Sequence, residues 1–183
     1  MRQFQLPRER KLGKLSRGMR MKAALVGSLA YHPKLIVLDE PFGGLDPLVR
    51  DELIDGLLDR ASETTMFISS HDLAEIENLA SHVGYIEQGK LRFSEEMTSL
   101  LERFREVEVT LEEPAESPAS VPQSWMRLNV AANVVRFIES RFDEERTSAE
   151  TRSAFRNMRN IAIAPMTLRS IFLAMAKSGR PNE

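Results

Sequence analysis

A run of four large apolar residues, 35–38, leads directly into Asp39 and Glu40, and Pro41 ends it. A short continuous apolar run is typical of a strand that is buried on both faces, as in a parallel sheet. The acids then lie at the carboxyl end of the strand, where open α/β sheets bind their ligands. Because adjacent side chains on a strand point to opposite sides, we expect Asp39 and Glu40 to have different partners. The alternative is a strand that ends in a solvated acidic turn.

A second predicted strand, residues 64–70, ends at His71. Neighbouring parallel strands end at the same edge of a sheet, so we expect His71 to lie close to Asp39. An imidazole there can donate to a phosphate oxygen or position a water molecule. Taken alone, a single histidine is more often a surface or capping residue. His32 and His82 have no partner at metal-ligand spacing, and we interpret them as structural.

Two predicted helices begin with residues that suit an N-cap. Ser16 precedes a helix that ends near Pro33, and Asp46 precedes a second helix in which Pro47 fits the first position. A helix amino terminus with a serine hydroxyl and the backbone of Gly18 also suits a phosphate, because its free N–H groups and its dipole face outward. From these residues alone, a plain cap and a phosphate site both stay open.

Four elements in this order and spacing resemble the ATP-binding-cassette (ABC) ATPases over roughly the first half of the chain. They are the signature motif at Leu15, Ser16, Arg17, Gly18 and Met19, the Walker B strand at 35–41, the D-loop at 42–47 and the switch histidine His71. The resemblance implies ATP and Mg²⁺ as cofactors. It implies that Asp39 binds the metal, that Glu40 is the general base for the attacking water, and that His71 senses the γ-phosphate.

The resemblance also implies a head-to-tail dimer with a second ABC ATPase subunit. In such a dimer Ser16 and Gly18 touch the nucleotide held by the opposite subunit, and Asp46 lies at the interface. Arg17 stands where the family more often has glycine, and we expect its longer side chain to change dimer contacts or the rate.

A Walker A motif, Gly-x-x-x-x-Gly-Lys-Ser/Thr, does not occur in the chain. The two Gly-Lys pairs, at Gly13 and Gly89, are each followed by leucine. We therefore expect the chain to correspond to the C-terminal portion of an ABC ATPase that begins just before the signature. Phosphoryl transfer depends on positioning and charge stabilisation. Without a phosphate cradle, the chain alone should bind ATP poorly and hydrolyse it negligibly.

The predicted fold class is α/β, a partial P-loop NTPase core with parallel strands and flanking helices, followed by a small α+β domain. We assign residues 1–104 to the nucleotide-binding domain and 105–183 to the accessory domain. The first of these ends with a hairpin that turns at Gln88 and Gly89. The second is predicted to contain strands at 107–111, 125–130, 134–138 and 161–164 and helices at 144–158 and 166–176, with a loop at 112–122.

Composition limits the kinds of partner. The formal charge of −2 on 183 residues gives no attraction to nucleic acid, and the chain has no cysteine for a disulfide scaffold. No apolar run approaches the ~20 residues of a membrane-spanning helix, and the first residues do not read as a signal peptide. We expect a cytoplasmic protein that is peripheral at the inner face of the cell membrane through separate permease subunits.

The leading hypothesis is the ATPase subunit of a bacterial, exporter-like ABC transporter. A second is an ABC ATPase of DNA repair or translation, although the long coiled coils or second cassette of those relatives do not occur in this chain. A third is a non-catalytic module that donates its signature motif to a complete partner.

Overall fold

The computed structural model describes residues 6–7, 9–114, 116–118 and 120–178. Two compact units make up the chain, one ending at Leu79 and the other beginning at Ala80. The assignment of an accessory domain to residues 105–183 concerns function as well as packing, and it stays a prediction. Within the described parts of the chain, none of the helices has both the length and the apolar character needed to span a bilayer.

The first unit alternates helices and strands. After a 3-10 turn at Leu12–Lys14, its elements are α1 (Arg17–Leu29), β1 (Leu35–Asp39), α2 (Pro47–Leu58), β2 (Thr65–Ser69) and α3 (Leu73–Leu79). The two strands pair in parallel, with a register that runs from Leu35 opposite Thr65 to Asp39 opposite Ser69. Both strands therefore end at the same edge, as the sequence predicted.

The core of the first unit lies on one side of this two-stranded sheet. It joins side chains of α1, β1, α2 and the loop before α2, namely Leu25, Leu29, Ile36, Phe42, Leu45, Leu53 and Leu57. On the opposite side Val37 is 66% exposed and Phe67 is 64% exposed. The expectation that β1 is buried on both faces is therefore wrong, because the described helices pack against one face only.

The second unit begins with a hairpin of β3 (His82–Glu87) and β4 (Lys90–Glu96). The turn residues Gln88 and Gly89 both have positive φ, 51° and 72°, which matches the primed turns that suit hairpins. Gly84, Gly89 and Lys90 share the spacing of the glycines and lysine of a Walker A motif. They lie on a hairpin and not between a strand and a helix, so this segment is not a phosphate loop.

The rest of the second unit is an antiparallel sheet with three helices. Its elements are α4 (Met97–Arg103), β5 (Arg105–Leu111), β6 (Trp125–Ala131), β7 (Val134–Glu139), α5 (Glu144–Ala154), β8 (Met158–Pro165) and α6 (Leu168–Ser178). The strand order is β6-β7-β5-β8. The mixed α/β class with an α+β second part is confirmed. The predicted loop at 112–122 connects β5 to β6, although residues 115 and 119 of it lie outside the described residues.

Two helices of the second unit have boundaries that differ from the predictions. The helix predicted to run to residue 158 ends at Ala154, because Phe155 turns into the core and Met158 pairs with Leu111 in the sheet. The closing helix begins at Leu168, two residues later than predicted. The core beneath these helices contains Trp125 stacked on Phe137, with ring centroids 3.9 Å apart.

Candidate functional site

The carboxyl ends of β1 and β2 bring the predicted acids and histidine together. The Nδ1 atom of His71 lies 2.7 Å from Oε2 of Glu40. On the neighbouring residue, the hydroxyl of Ser69 donates to Oδ1 of Asp39 at 2.5 Å. The same Ser69 hydroxyl accepts the backbone N–H of Glu40 at 3.0 Å. One edge of the sheet therefore carries two carboxylates and an imidazole. The carboxylate of Asp39 contacts Ser69, and that of Glu40 contacts His71.

This edge is open to solvent. The side chain of His71 is 80% exposed and that of Glu40 is 43% exposed. Glu40 also has a φ of 46°, in the left-handed region that a residue with a side chain rarely adopts. Sparsely populated backbone conformations of this kind cluster at active sites and ligand clamps. The turn after β1 thus presents the Glu40 carboxylate outward, where it meets the imidazole.

Asp39 could supply one ligand of a magnesium ion, and the other ligands would have to come from elsewhere. Among the described residues, no group of three or more acidic or histidine side chains is placed to hold a metal. Asp39 offers one exposed carboxylate, of which one oxygen accepts the Ser69 hydroxyl. Mg²⁺ in phosphate-handling sites typically takes one or two carboxylates and obtains its other ligands from water and substrate phosphates. Asp39 is suited to that role.

The predicted signature residues form a second group at the start of α1. Ser16 caps the helix, its hydroxyl accepting the N–H of Met19 at 3.2 Å, and Leu15 before it is buried. Asp46 caps α2 in the same way through the N–H of Val49, at 3.1 Å. Both predicted N-caps are confirmed as caps.

Close packing joins the starts of these two helices. A Cβ atom built on Gly18 would lie 2.7 Å from Cγ1 of Val49. A Cβ atom on Gly44 would lie 2.7 Å from Nη1 of Arg17, so the guanidinium covers the loop that precedes Asp46. The signature segment and the D-loop segment therefore meet.

The two groups of predicted site residues remain separate. Among the hydrogen bonds and ion pairs of the described residues, none connects Ser16, Arg17 or Asp46 to the strand-end residues 39, 40 and 71.

The contact between Gly18 and Val49 gives a prediction of opposite sign for two glycines of one helix. Alanine in a helix interior gains ~1 kcal/mol over glycine. At Gly18 the added methyl group meets a stiff β-branched side chain, and overpacking costs ~1–3 kcal/mol. We expect Gly18→Ala to lower the melting temperature and Gly27→Ala, which meets no atom within 4 Å, to raise it.

Circular dichroism melting of both variants checks this prediction. The double variant Gly18→Ala/Val49→Ala should recover part of the loss, because it removes the opposing methyl groups. Equal stabilisation by alanine at both glycines would show that the helices do not pack as described.

Sequence reasoning missed Ser69, whose hydroxyl contacts both the carboxylate of Asp39 and the backbone N–H of Glu40. Its place at the end of a predicted strand was visible, but strand alternation alone does not reveal a contact with a strand 30 residues earlier in the chain. Only the parallel register places Ser69 opposite Asp39.

Comparison with known proteins gives sequence relatives for part of the chain. No protein-family model matches it. The bacitracin transport ATP-binding protein BcrA of Bacillus licheniformis is 45% identical over 82 residues, which are 44% of this chain and 27% of that protein. The ABC transporter ATP-binding protein YtrB of Bacillus subtilis is 30% identical over 114 residues, 61% of this chain and 39% of that protein.

A third relative is the lantibiotic transport ATP-binding protein SrtF of Streptococcus pyogenes, 40% identical over 89 residues, 48% of this chain and 39% of that protein. Among solved structures, an ATP-binding cassette of an ABC transporter in its ADP conformation is 28% identical, with a TM-score of 0.45 over 51% of this chain and 39% of that one. The chain spans between 27% and 39% of the length of these three sequence relatives. Over about half of its length, this chain is related to the ATP-binding proteins of ABC transporters.

Proposed function

We propose that the chain forms part of the ATP-hydrolysing site of an ABC transporter subunit. The observation that carries this proposal is the 2.7 Å contact between His71 and Glu40, beside Asp39, at the ends of two parallel strands. This edge carries one acid that can bind a metal, a second acid that can accept a proton, and an imidazole, and such groups can support phosphoryl transfer to water.

Each residue then has a distinct role. Asp39 takes part in binding Mg²⁺, which neutralises charge on the phosphates when it is bound. Glu40 accepts a proton from the attacking water, and its exposed carboxylate leaves room for that water. His71 donates a hydrogen bond to the γ-phosphate, and the contact of its Nδ1 atom with Glu40 orients the ring. Ser69 keeps Asp39 and the Glu40 backbone in register.

The phosphate cradle in this proposal comes from polypeptide outside these 183 residues. Support comes from the open face of the sheet, where Val37 and Phe67 are largely exposed. Alternation along the strand places Asp39 on that same face, at its carboxyl end. Burying a side chain such as valine or phenylalanine contributes ~1.5–3 kcal/mol, so this face favours a covering segment next to the metal-binding acid.

The signature group serves a second subunit in this proposal. Ser16 and Gly18, with Asp46 beside them, would face the nucleotide of a head-to-tail partner, and Arg17 would modify that contact. Permease subunits would hold the ATPase at the inner face of the membrane. The relatives named for bacitracin and lantibiotic transport support a role in transport. The exporter-like direction is part of this proposal. The net charge of −2 supports a partner other than nucleic acid.

The isolated chain should not hydrolyse ATP. Without a lysine and backbone cradle for the phosphates, the strand-end residues have no positioned substrate to act on. The measurement is phosphate release from radiolabelled ATP with the purified 183-residue chain. Clear turnover that Glu40→Gln abolishes would contradict the proposal that the cradle lies elsewhere.

The function itself is tested with an assembled cassette. We define the assembled cassette as this chain co-expressed and co-purified with a polypeptide that supplies the Walker A part of an ABC ATPase. ATP turnover by this complex, lost with Asp39→Asn or His71→Ala, is the expected result. The contradicting result is a folded complex that binds ATP and is indifferent to both substitutions.

The non-catalytic alternative is tested with the same proteins. If the chain only donates its signature motif, it should restore turnover to a complete cassette whose own signature serine is mutated. In that case Ser16→Ala should abolish the effect and Glu40→Gln should not.

A further inference from the structure

The residues on both sides of His71 are tied to α2 through a buried acid. Glu75 on α3 is 7% exposed, and one of its carboxylate oxygens lies 2.8 Å from Nε of Arg50. This contact is a close ion pair and not a hydrogen bond, because the Nε–H bond of Arg50 does not point at the carboxylate oxygen. The other oxygen of Glu75 accepts the hydroxyl of Ser70 at 3.3 Å.

The same network reaches Asp72 on the other side of His71. The Ser70 hydroxyl accepts the backbone N–H of Asp72 at 3.0 Å, closing a tight turn around the histidine. The carboxylate of Asp72 lies 3.8 Å from Nη1 of Arg50 and also accepts the N–H of Ala74 at the start of α3. Arg50 therefore contacts or supports both neighbours of His71.

His71 needs this support because it has little packing of its own. Its side chain is 80% exposed, and within the described residues Glu40 is the one polar partner of the imidazole. The position of the ring is thus set by the backbone turn that carries it. That turn is fixed by Ser70 and Asp72.

We propose that Arg50, acting through Glu75, is a positioning residue that holds the His71 imidazole against the Glu40 carboxylate. It does not touch a reacting group. Arg50 lies one helical turn after Asp46, so it links the segment assigned to the dimer interface with the histidine assigned to the γ-phosphate. This inference rests on the proposed function for its consequence in catalysis, but the geometric claim stands on the contacts alone.

The test measures the contact between Glu40 and His71 in the nucleotide-free chain. The protein is labelled with ¹⁵N-histidine, and the ring signals of its three histidines are recorded by long-range ¹H–¹⁵N NMR. His71→Gln assigns the His71 signal. The Glu40-dependent shift is the change in that signal caused by Glu40→Gln. It is measured first in the wild-type background and then in an Arg50→Met background.

We expect Arg50→Met to remove most of the Glu40-dependent shift, because residues coupled within one network do not act independently. Arg50→Lys should retain part of it, because a cation remains near Glu75. Arg60→Met is the matched control, since it removes another α2-adjacent arginine from an exposed pair with Glu63, away from His71. The control should leave the shift at its wild-type size.

Unchanged ring signals of His32 and His82 show that the Arg50 and Glu75 variants are folded. For Arg60→Met the melting temperature shows it instead, because Glu63, the partner of Arg60, also lies 3.9 Å from His32. If Arg50→Met does not fold, Glu75→Gln takes its place, because it keeps the side-chain size and removes the charge that pairs with Arg50. A folded variant of either kind that retains the full shift overturns the proposal. Absence of ATP turnover in the assembled cassette would overturn the proposed function and leave this spectral result unaffected.

Discussion

Replacing Glu40 by glutamine in the assembled cassette should slow ATP turnover by roughly 10²–10⁴-fold, the contribution of a positioned general base. Glutamine has the same shape and can still meet the His71 imidazole, but it cannot accept a proton from water. The exposed position of Glu40, bound to His71 at 2.7 Å, gives the attacking water access to the carboxylate. Steady-state phosphate release measures the effect, and ATP affinity should change little.

Glu63→Gln is the matched control for this result. Glu63 is also an exposed carboxylate of the first unit, but its partners are Arg60 and His32, and it precedes β2 instead of following its carboxyl end. Turnover should stay near the wild-type rate in this variant. If Glu40→Gln turned over at the wild-type rate as well, the assignment of Glu40 as the base would be wrong, although Asp39 could still bind the metal.

Phe137→Ala should lower the free energy of unfolding of the second unit by ~3–5 kcal/mol. Phe137 is 1% exposed at the centre of β7, and its ring stacks on Trp125. Truncation removes that stacking and leaves a cavity between the sheet and the residues that cover it. A loss of this size is a large part of the stability of a small domain.

Tryptophan fluorescence during urea unfolding measures this loss. Trp125 is the one tryptophan of the chain and lies in the same core, so the signal reports on the second unit. The control is Leu91→Ala, because Leu91 is 61% exposed on β4 of the same unit and its truncation should cost little. Equal losses in the two variants would contradict the burial of Phe137.

Local rules predicted the parts of this structure that local chemistry decides. Ser16 and Asp46 cap their helices because a short polar side chain before a helical segment can reach the free N–H groups of its first turn. Gln88 and Gly89 turn the hairpin because both adopt a positive φ. The edge that carries Asp39 and His71 follows from parallel pairing of two short apolar strands.

Contacts between distant segments were beyond the same rules. The apolar run 35–38 reads as buried on both faces, but burial depends on what packs on each face, and the described helices cover one. The pair of Arg50 and Glu75 joins residues of two helices whose relative position depends on the whole core. In the second unit, helix propensity predicted that α5 would run to residue 158. The helix ends earlier because Met158 pairs with Leu111 in the sheet.

The backbone conformation at Glu40 has a consequence for the balance between the stability and the activity of this protein. Holding a residue with a side chain at a φ of 46° carries a conformational penalty, which glycine would not incur. Selection for thermal resistance alone would therefore favour glycine at this position. A carboxylate placed where the main chain disfavours it marks a point at which the sequence gives up robustness to keep a chemically useful group, and laboratory evolution toward heat tolerance should be screened for loss of that group.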